Sequence, residues 1–254
     1  MIFEDIDVDV ITTLSDEYFV KVTKCESRLP DSSAVRKLSK LVREFKSTMP
    51  IVTALGNRKL QDIHWAEIKQ VLNMDDETAP FILEEKQFSL GQLIGFEVGD
   101  KQEEVVHIST TATQEFYLRT ELDKIIETWN NTEFTVVKHK EQLNVYKLKD
   151  WDSIIAILDD SLSCISDIQG SRYVKRLAQE VEKEQNMLIL IADTIEQWKF
   201  CQRNWLYLEN IFASSKEIKD RCNKEYREFD AVDKAWTRTM KKVYSKKLVK
   251  AHCT

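Results

Sequence analysis

The chain has 254 residues, which is enough for one or two domains with a buried core. Hydrophobic residues make up 43% of it and charged residues 31%, a composition too apolar for intrinsic disorder, and a net charge of −6 argues against a nucleic-acid-binding protein. Because only five Gly and three Pro interrupt the sequence, we expect long helices.

The distribution of charge and the spacing of the cysteines narrow the class of protein further. The chain is acidic at its start and basic at its end, and a lysine-rich helix end is typical of a solvated surface. The five Cys form neither a CxxC motif nor a disulfide framework, so we expect reduced thiols in a cytoplasmic protein. No apolar run has the length of a membrane span, and no basic signal peptide opens the chain, so we expect no membrane partner.

Residues 1–30 are an acidic segment whose apolar residues show no clear helical or strand period, so its structure is not predicted. Helices are predicted for the rest of the first half of the chain. Residues 31–132 are predicted to be one part of a helical bundle. Its first helix should start near Asp31 and be ended or kinked by Pro50, and Gly56-Asn57 should form a C-terminal cap. Three further helices are indicated by apolar spacing at Trp65, Ile68 and Leu72, by a capping box at Ser89 and Gln92, and by a roughly thirty-residue stretch from Asp100 to Asn131.

The second half predicts a hairpin and then more helices. Alternation of apolar and polar residues predicts a β-hairpin at residues 133–148, with Lys138 to Glu141 near its turn. Residues 149–254 are predicted to be another part of the bundle. A heptad-like seam runs from Val174 to Trp205, interrupted by Glu184 and Gln202. The last helix should present one apolar face, formed by Phe229, Val232, Trp236 and Met240. The predicted fold is therefore mainly α, in elongated helical bundles with one small β-hairpin.

Catalytic, cofactor and metal sites are not indicated. Gly95 to Lys101 is one residue short of a phosphate-binding loop and has Asp100 where Lys belongs, so we expect a turn before a helix. The four His and five Cys lack the clustered spacing of a zinc site, and His64 is expected to be a packed or capping side chain. Asp159 and Asp160 are adjacent, so on a helix they point about 100° apart and make a poor catalytic pair.

An aromatic stripe from Trp198 to Phe212 is the most distinctive stretch. Trp198, Cys201 or Gln202, Trp205 and Leu208 recur at three- and four-residue steps, so they are expected to share a helix face, with Tyr207, Ile211 and Phe212 extending the apolar surface around the helix. Helix packing is the favoured interpretation of this stripe, over a ligand-binding box.

The stripe also resembles a signature of the dynein heavy-chain linker, W-x3-Q-x2-W-x-YLE-x-IF, at Trp198 to Phe212. Further linker-like motifs flank it in the same order as in the family. They are Leu55-Gly-Asn57, His64-Trp65, Phe88-Ser-Leu90, Ala112-x2-Glu115 through Trp129, Leu158-Asp159-Asp160, Gly170-Ser171-Arg172-Tyr173 and Phe229-x2-Val232-Asp233-x2-Trp236. The Leu158 and Gly170 motifs are more similar to axonemal than to cytoplasmic dyneins.

Four positions depart from the family pattern. Ile63 stands in place of Arg, Gln114 in place of Lys, Glu184 near the place of a Trp, and Arg221-Cys222-Asn223 in place of Leu-Pro. These departures concern local geometry and leave the order of the motifs intact.

The resemblance implies a lever that lies across an AAA+ ring of the same heavy chain and changes shape with ATP turnover. The ring, with its ATP and Mg, and the microtubule-binding stalk would lie C-terminal to this chain. Partners would be that ring, microtubules indirectly, and other dynein chains, in the cytoskeleton of a cilium or flagellum. Heptad packing alone leaves two alternatives open, a spectrin-like or other partner-binding scaffold and a small helical enzyme. The second would need a pocket with perturbed titrating groups.

Overall fold

A computed structural model describes residues 7–30, 32–72, 101–140, 144–214 and 216–253. In these ranges the chain is mainly α-helical with one small two-stranded antiparallel sheet, which confirms the predicted fold class. The elements are α1 (Val8–Arg28), α2 (Ser33–Leu55), α3 (Asp62–Val71), α4 (Gln102–Asn131), β1 (Thr135–Lys140), β2 (Val145–Lys149), α5 (Trp151–Gly170), a 3-10 turn (Val174–Arg176), α6 (Ala178–Ser214), α7 (Lys216–Arg221), α8 (Asn223–Ser245) and α9 (Lys250–Cys253). They divide into two compact units, residues 1–117 and 118–254.

Helix α1 occupies most of the acidic segment to which the sequence assigned no structure. The Asp7 carboxylate accepts hydrogen bonds from the N–H groups of Asp9 and Val10 at 3.1 and 3.2 Å, so an acidic residue caps the positive end of the helix. Helix α1 packs against α2. The buried residues of α1, Ser15 and Val22, are small, which permits close approach of a neighbouring backbone.

Pro50 lies inside α2, which continues for five residues beyond it, so of the two predicted outcomes, an end or a kink, the helix does not end at Pro50. Proline has no N–H to donate, and its ring crowds the carbonyl four residues earlier. The hydroxyls of Ser47 and Thr48, just before Pro50, donate to the carbonyls of Glu44 and Phe45 at 2.7 Å each. The carbonyl that Pro50 leaves without an N–H donor is that of Lys46, whereas these two bonds go to Glu44 and Phe45.

Gly56 follows the last residue of α2 as a C-terminal cap, as predicted. Glycine is required there by a close contact and not by its backbone conformation. Its φ of −74° is open to any residue, so conformational freedom does not require glycine here. A Cβ at this position would lie 2.5 Å from Cγ2 of Val8, at the start of α1. The glycine therefore lets the start of α1 approach the end of α2. The core of this unit is formed by Met49, Ile51, Val52, Ala54, Leu55, Ile68 and Val105.

The second unit is built around α6, a helix of 37 residues. The predicted seam is buried, including its two polar interruptions, at Val181, Glu184, Leu188, Ile191, Ile195, Gln202 and Trp205. Trp198 is only partly buried, and Val174 and Leu177, also partly buried, lie before α6 begins. On α8 the predicted face is buried at Phe229, Trp236 and Met240, but Val232 is 49% exposed, so its place in that face was wrong. Buried residues of α4, the hairpin, α5, α8 and α9 contribute to the same core.

The predicted hairpin is present, with β1 pairing antiparallel to β2 from Thr135 opposite Lys149 to Lys140 opposite Val145. Lys138 to Lys140 belong to β1 itself, so the turn begins later than expected. A register shift between Lys138 and Lys140 inserts His139 as an extra residue, a β-bulge.

Residues near the C-terminus pair with the chain just before β1. The N–H of Phe134 donates to the Lys247 carbonyl at 2.8 Å, and the N–H of Val249 donates to the Thr132 carbonyl at 3.0 Å. An antiparallel bridge joins Glu133 to Leu248 between these two bonds.

Candidate functional site

The aromatic stripe meets the hairpin through Gln202, whose side chain is buried in the seam of α6. The N–H of Leu148 donates to Oε1 of Gln202 at 2.7 Å, and Nε2 of Gln202 donates to the Leu148 carbonyl at 2.9 Å. One amide side chain therefore satisfies both backbone groups of Leu148 on the outer edge of β2. A buried backbone group without a partner costs about 1–3 kcal/mol, which explains why a polar residue is tolerated in an apolar seam.

Trp205, one turn further along α6, connects the hairpin to α8. Its ring is 2% exposed and stacks on Trp236 with centroids 5.0 Å apart and planes 19° apart. The indole N–H of Trp205 donates to Oδ1 of Asp233 at 2.8 Å, and that of Trp236 donates to the carbonyl of Tyr146 in β2 at 3.2 Å. Both indole groups thus combine a large apolar surface with a satisfied donor.

His139 completes this arrangement from the bulge of β1. The bulge directs its ring toward α6, where Nε2 lies 2.9 Å from Oε2 of Glu209 and the ring meets Trp205 edge-on at 5.2 Å. We call the residues that hold the hairpin to α6 and α8 the hairpin clamp. They are His139, Gln202, Trp205, Glu209, Asp233 and Trp236.

The rest of the stripe divides between core and surface. Trp198 packs edge-on against Phe134 at 5.3 Å, and Phe212 packs against Phe229 at 5.3 Å. Leu208 is exposed, so its predicted place on the shared face is wrong, and of the adjacent pair Cys201 and Gln202 only Gln202 is buried. Tyr207 is 67% exposed, so the prediction that it extends the packed apolar surface is also wrong. A helix of 3.6 residues per turn directs Gln202, rather than Cys201, into the seam. Core packing is confirmed for Trp198, Gln202, Trp205 and Phe212.

The first unit contains a second polar network built from motif residues. His64 is 1% exposed, and its Nδ1 accepts from the N–H of Gln61 at 3.1 Å, which confirms the predicted capping role. Because Nδ1 accepts, Nε2 carries the proton and donates to Oε2 of Glu115 at 3.0 Å. Nδ2 of Asn57 lies 2.9 Å from the carbonyl of Ser109 and 2.8 Å from Oγ1 of Thr113, both on α4. The Leu55, His64 and Ala112 motifs therefore fasten α2, α3 and α4 together.

The carboxylates and cysteines considered in the sequence occupy the following places in the described structure. Asp159 and Asp160 are both exposed on α5. Burial raises the pKa of the Cys253 thiol to about 12, and burial is also the largest cause that raises the pKa of Cys164. Both shifts favour the unreactive thiol. Among the described residues, no three His, Cys, Asp or Glu side chains are arranged to hold a metal ion. The Ser89 capping box, the Phe88 motif and most of Gly95 to Lys101 lie outside the described residues.

An open cleft of about 1050 Å³ lies in the first unit and was missed in the sequence. The start of α1 contributes Asp7 and Asp9, the loop after α2 contributes Arg58 and Lys59, and α4 contributes Ser109. The cleft depends on elements that are distant in sequence, so no local pattern could have indicated it. Its charged lining residues are of both signs, which favours no particular class of ligand.

Comparison with known proteins decides the family. The model of the family described as dynein heavy chain, N-terminal region 2, matches residues 1–254. The chain belongs to the dynein heavy-chain family. Most residues of the hairpin clamp, and His64, Asn57 and Glu115 of the second network, belong to the dynein-like motifs, and the linker resemblance of the sequence is confirmed at the level of this N-terminal region.

Three of the similar proteins are axonemal or flagellar dynein heavy chains, in agreement with the predicted axonemal character. Human dynein axonemal heavy chain 6 is 35% identical over 243 residues, 95% of this chain and 6% of the relative. Human dynein axonemal heavy chain 10 is 32% identical over 214 residues, 84% of this chain and 5% of the relative. The dynein-1-alpha heavy chain of the flagellar inner arm I1 complex of Chlamydomonas reinhardtii is 24% identical over 241 residues, 94% and 5% respectively.

The chain thus spans about one-twentieth of the length of the relatives it matches. Across the part of the chain that the structure describes, no helix combines the length and the hydropathy needed to cross a bilayer.

Proposed function

We propose that this chain is part of the linker of a dynein heavy chain, a mechanical lever that changes shape with ATP turnover in a neighbouring AAA+ ring. In this role the chain drives microtubule-based movement without binding the nucleotide itself. Membership of the dynein heavy-chain family supports the proposal, and it weighs against the spectrin-like scaffold that heptad packing left open.

The observation that carries the proposal is the hairpin clamp. A lever transmits displacement only if its elements do not slide past one another. In the clamp, two side chains of α6 bond to the hairpin and a third bonds to α8, through Gln202, Glu209 and Trp205. Directional hydrogen bonds of this kind fix register between elements, which apolar packing alone does less well.

The length of α6 also supports a mechanical role. Its 37 residues span roughly 55 Å at about 1.5 Å per residue. Within the second unit its seam is buried along most of that length, from Val181 to Phe212. A long helix with continuous lateral support resists bending, because a bend would open packed contacts.

Partners and location follow from the relatives. The AAA+ ring of the same heavy chain would bind ATP and Mg, microtubules would be contacted through the parent motor, and other dynein chains are further partners. The relatives include axonemal and flagellar inner-arm heavy chains, so we assign the parent protein to the cytoskeleton of a cilium or flagellum.

The experiment lowers the helix propensity of α6 at exposed positions and leaves its buried side chains unchanged. Lys199 and Arg203 are exposed on α6, and a glycine costs about 1 kcal/mol in a helix interior. The double variant Lys199→Gly and Arg203→Gly in the intact heavy chain should slow microtubule gliding far more than it slows ATP turnover. Both rates are measured on one preparation whose helicity matches that of the parent.

The matched control is Lys199→Ala with Arg203→Ala. It removes the same side chains, including the Lys199 contact with Asp152 and the Arg203 contact with Phe200, but keeps high helix propensity. Gliding should be retained in the alanine pair. Equal losses of gliding and ATP turnover in the glycine pair, or unchanged gliding with folded protein, would refute the lever and favour a scaffold.

A further inference from the structure

The outer edge of β2 is covered by side chains. Gln202 bonds both backbone groups of Leu148, and Trp236 donates to the carbonyl of Tyr146. Leu148 and Tyr146 therefore direct their backbone groups away from β1. In an antiparallel pair, positions that point outward on one strand lie opposite positions that point outward on the other.

The same rule identifies the outward positions of β1. Val136 lies opposite Leu148 and Lys138 lies opposite Tyr146, so the N–H and C=O groups of Val136 and Lys138 point away from β2. The same alternation holds in the chain just before β1. The backbone groups of Thr132 and Phe134, four and two residues before Val136 in the same series of alternate positions, also point outward and pair with Val249 and Lys247.

This edge of β1 is therefore already used as a pairing edge, but only at its beginning. Helix α8 ends at Ser245, so the strand-like pairing of the C-terminal segment stops at Lys247. Among the described residues, none donates a hydrogen bond to, or accepts one from, the backbone of Val136 or Lys138. Two consecutive outward positions are thus available to a further extended segment.

The charge beside this edge favours an acidic occupant. Lys138 and Lys149 are exposed on the hairpin, and Lys246 and Lys247 are exposed next to the start of the edge. None of these four lysines forms an ion pair with a described acid. The described acids near the hairpin are Glu133 at the beginning of the edge, Glu209, which contacts His139, and Asp150, which follows Lys149. A second copy of the same edge would place lysines opposite lysines, which is unfavourable.

We propose that the edge of β1 at Val136 and Lys138 binds an extended, acidic peptide segment of a partner protein, which adds as a third strand. Its backbone pairs with the outward groups of the two residues, and its carboxylates lie near the surrounding lysines. The interaction does not depend on the lever role, so either proposal can fail without the other.

Hydrogen exchange of the unmodified 254-residue chain gives the first test. The amide of Val137 faces β2, whereas those of Val136 and Lys138 face outward. The outward amides should exchange much faster than that of Val137 in the free chain and become protected on addition of an acetylated, amidated Glu-Val-Glu-Val-Glu peptide. Equal protection of Val136 and Val137 without peptide would overturn the proposal, because the edge would already be covered.

Variants separate strand addition from simple charge attraction. Val136→Pro removes an outward N–H that β2 does not use and should weaken peptide binding at least tenfold, whereas Val136→Thr, which keeps the N–H, should bind like the parent. Lys138→Glu should also weaken binding, with the difference decreasing as salt is added.

Three results would count against the proposal. They are equal binding by Val136→Pro and the parent, equal binding of a Lys-Val-Lys-Val-Lys peptide, and self-association of the chain in sedimentation that Val136→Pro removes. The last result would identify a second copy as the occupant of the edge.

Discussion

Trp205 is a single residue on which three elements depend. Its ring lies against His139 of β1 and Trp236 of α8, and its N–H bonds to Asp233. Replacing such a side chain removes apolar contacts and leaves a cavity, and both effects lower the free energy of unfolding. The residue is thus expected to contribute to stability and not to the selection of one ligand.

We expect Trp205→Ala to lower the free energy of unfolding by about 3–5 kcal/mol in urea denaturation. Trp205→Phe keeps most of the apolar volume but loses the bond to Asp233, so it should cost clearly less. A Trp205→Ala chain that unfolds like the parent but loses a binding partner would support a ligand-binding box instead of core packing.

Glu184 is one of the positions at which the sequence departs from the linker pattern, and it is a buried polar residue in the α6 seam. It is 8% exposed in the α6 seam, and its Oε2 has no hydrogen-bond partner among the described residues. A buried polar atom without a partner costs about 1–3 kcal/mol in mutational data.

Glu184→Leu should therefore raise the free energy of unfolding by about 1–3 kcal/mol, measured by urea denaturation. Glu182→Leu, on the exposed side of the same helix, is the control and should change stability by less than about 0.5 kcal/mol. Destabilisation by Glu184→Leu would show that the carboxylate has a favourable role in the folded chain.

Among the elements, α2 is unusual in continuing through a proline. The side chain of Pro50 is exposed, so the proline contributes little to core packing. Its effect on the free energy of unfolding therefore comes from the missing backbone hydrogen bond and from steric crowding in the helix. An internal proline costs about 3 kcal/mol relative to alanine, and about 1 kcal/mol of that is offset because proline restricts the unfolded chain.

Pro50→Ala should thus stabilise the chain by roughly 2 kcal/mol, seen as a higher midpoint in urea denaturation. Lys40→Ala, at another exposed position of α2, should leave the midpoint nearly unchanged. An unchanged or lower midpoint for Pro50→Ala would indicate that a proline-dependent bend is needed for packing in the first unit.

The helices also show how much of the secondary structure could be predicted from the sequence. The period of the apolar residues located α3, α4 and α6, since a helix face is a local pattern that the chain displays directly. For Pro50 the sequence left open an end or a kink of the helix, because a propensity rule does not include the tertiary packing that buries the residues of α2 after Pro50 in the core.

The candidate site was foreseen only in part. Gln202 was recognised as a polar interruption of the seam, but its partner, Leu148, lies 54 residues earlier in the chain. Likewise, His64 was expected to cap a helix, but its contact with Glu115 spans 51 residues. Such pairings depend on how helices pack, so residue spacing could indicate the polar positions and not their partners.

For the whole molecule, the absence of a glycine-lysine phosphate loop in the sequence leads to a direct prediction. The isolated chain should show no heat of binding when titrated with ATP and Mg in a calorimeter, and no phosphate release above buffer. The same assays on the intact heavy chain provide the positive control. Micromolar affinity for ATP in the isolated chain would contradict the separation of the proposed lever from its energy source.

The pairing of the C-terminal segment with the start of the hairpin has a consequence for biosynthesis. The hairpin is complete at Lys149, but Trp236 and Lys247, which bond to it, leave the ribosome about a hundred residues later. At a translation rate of about 5–20 residues per second, the nascent hairpin lacks these partners for roughly 5–20 s. During that interval the lysines on both strands would repel other nascent hairpins, so the charge that borders the finished edge also protects the unfinished one from aggregation.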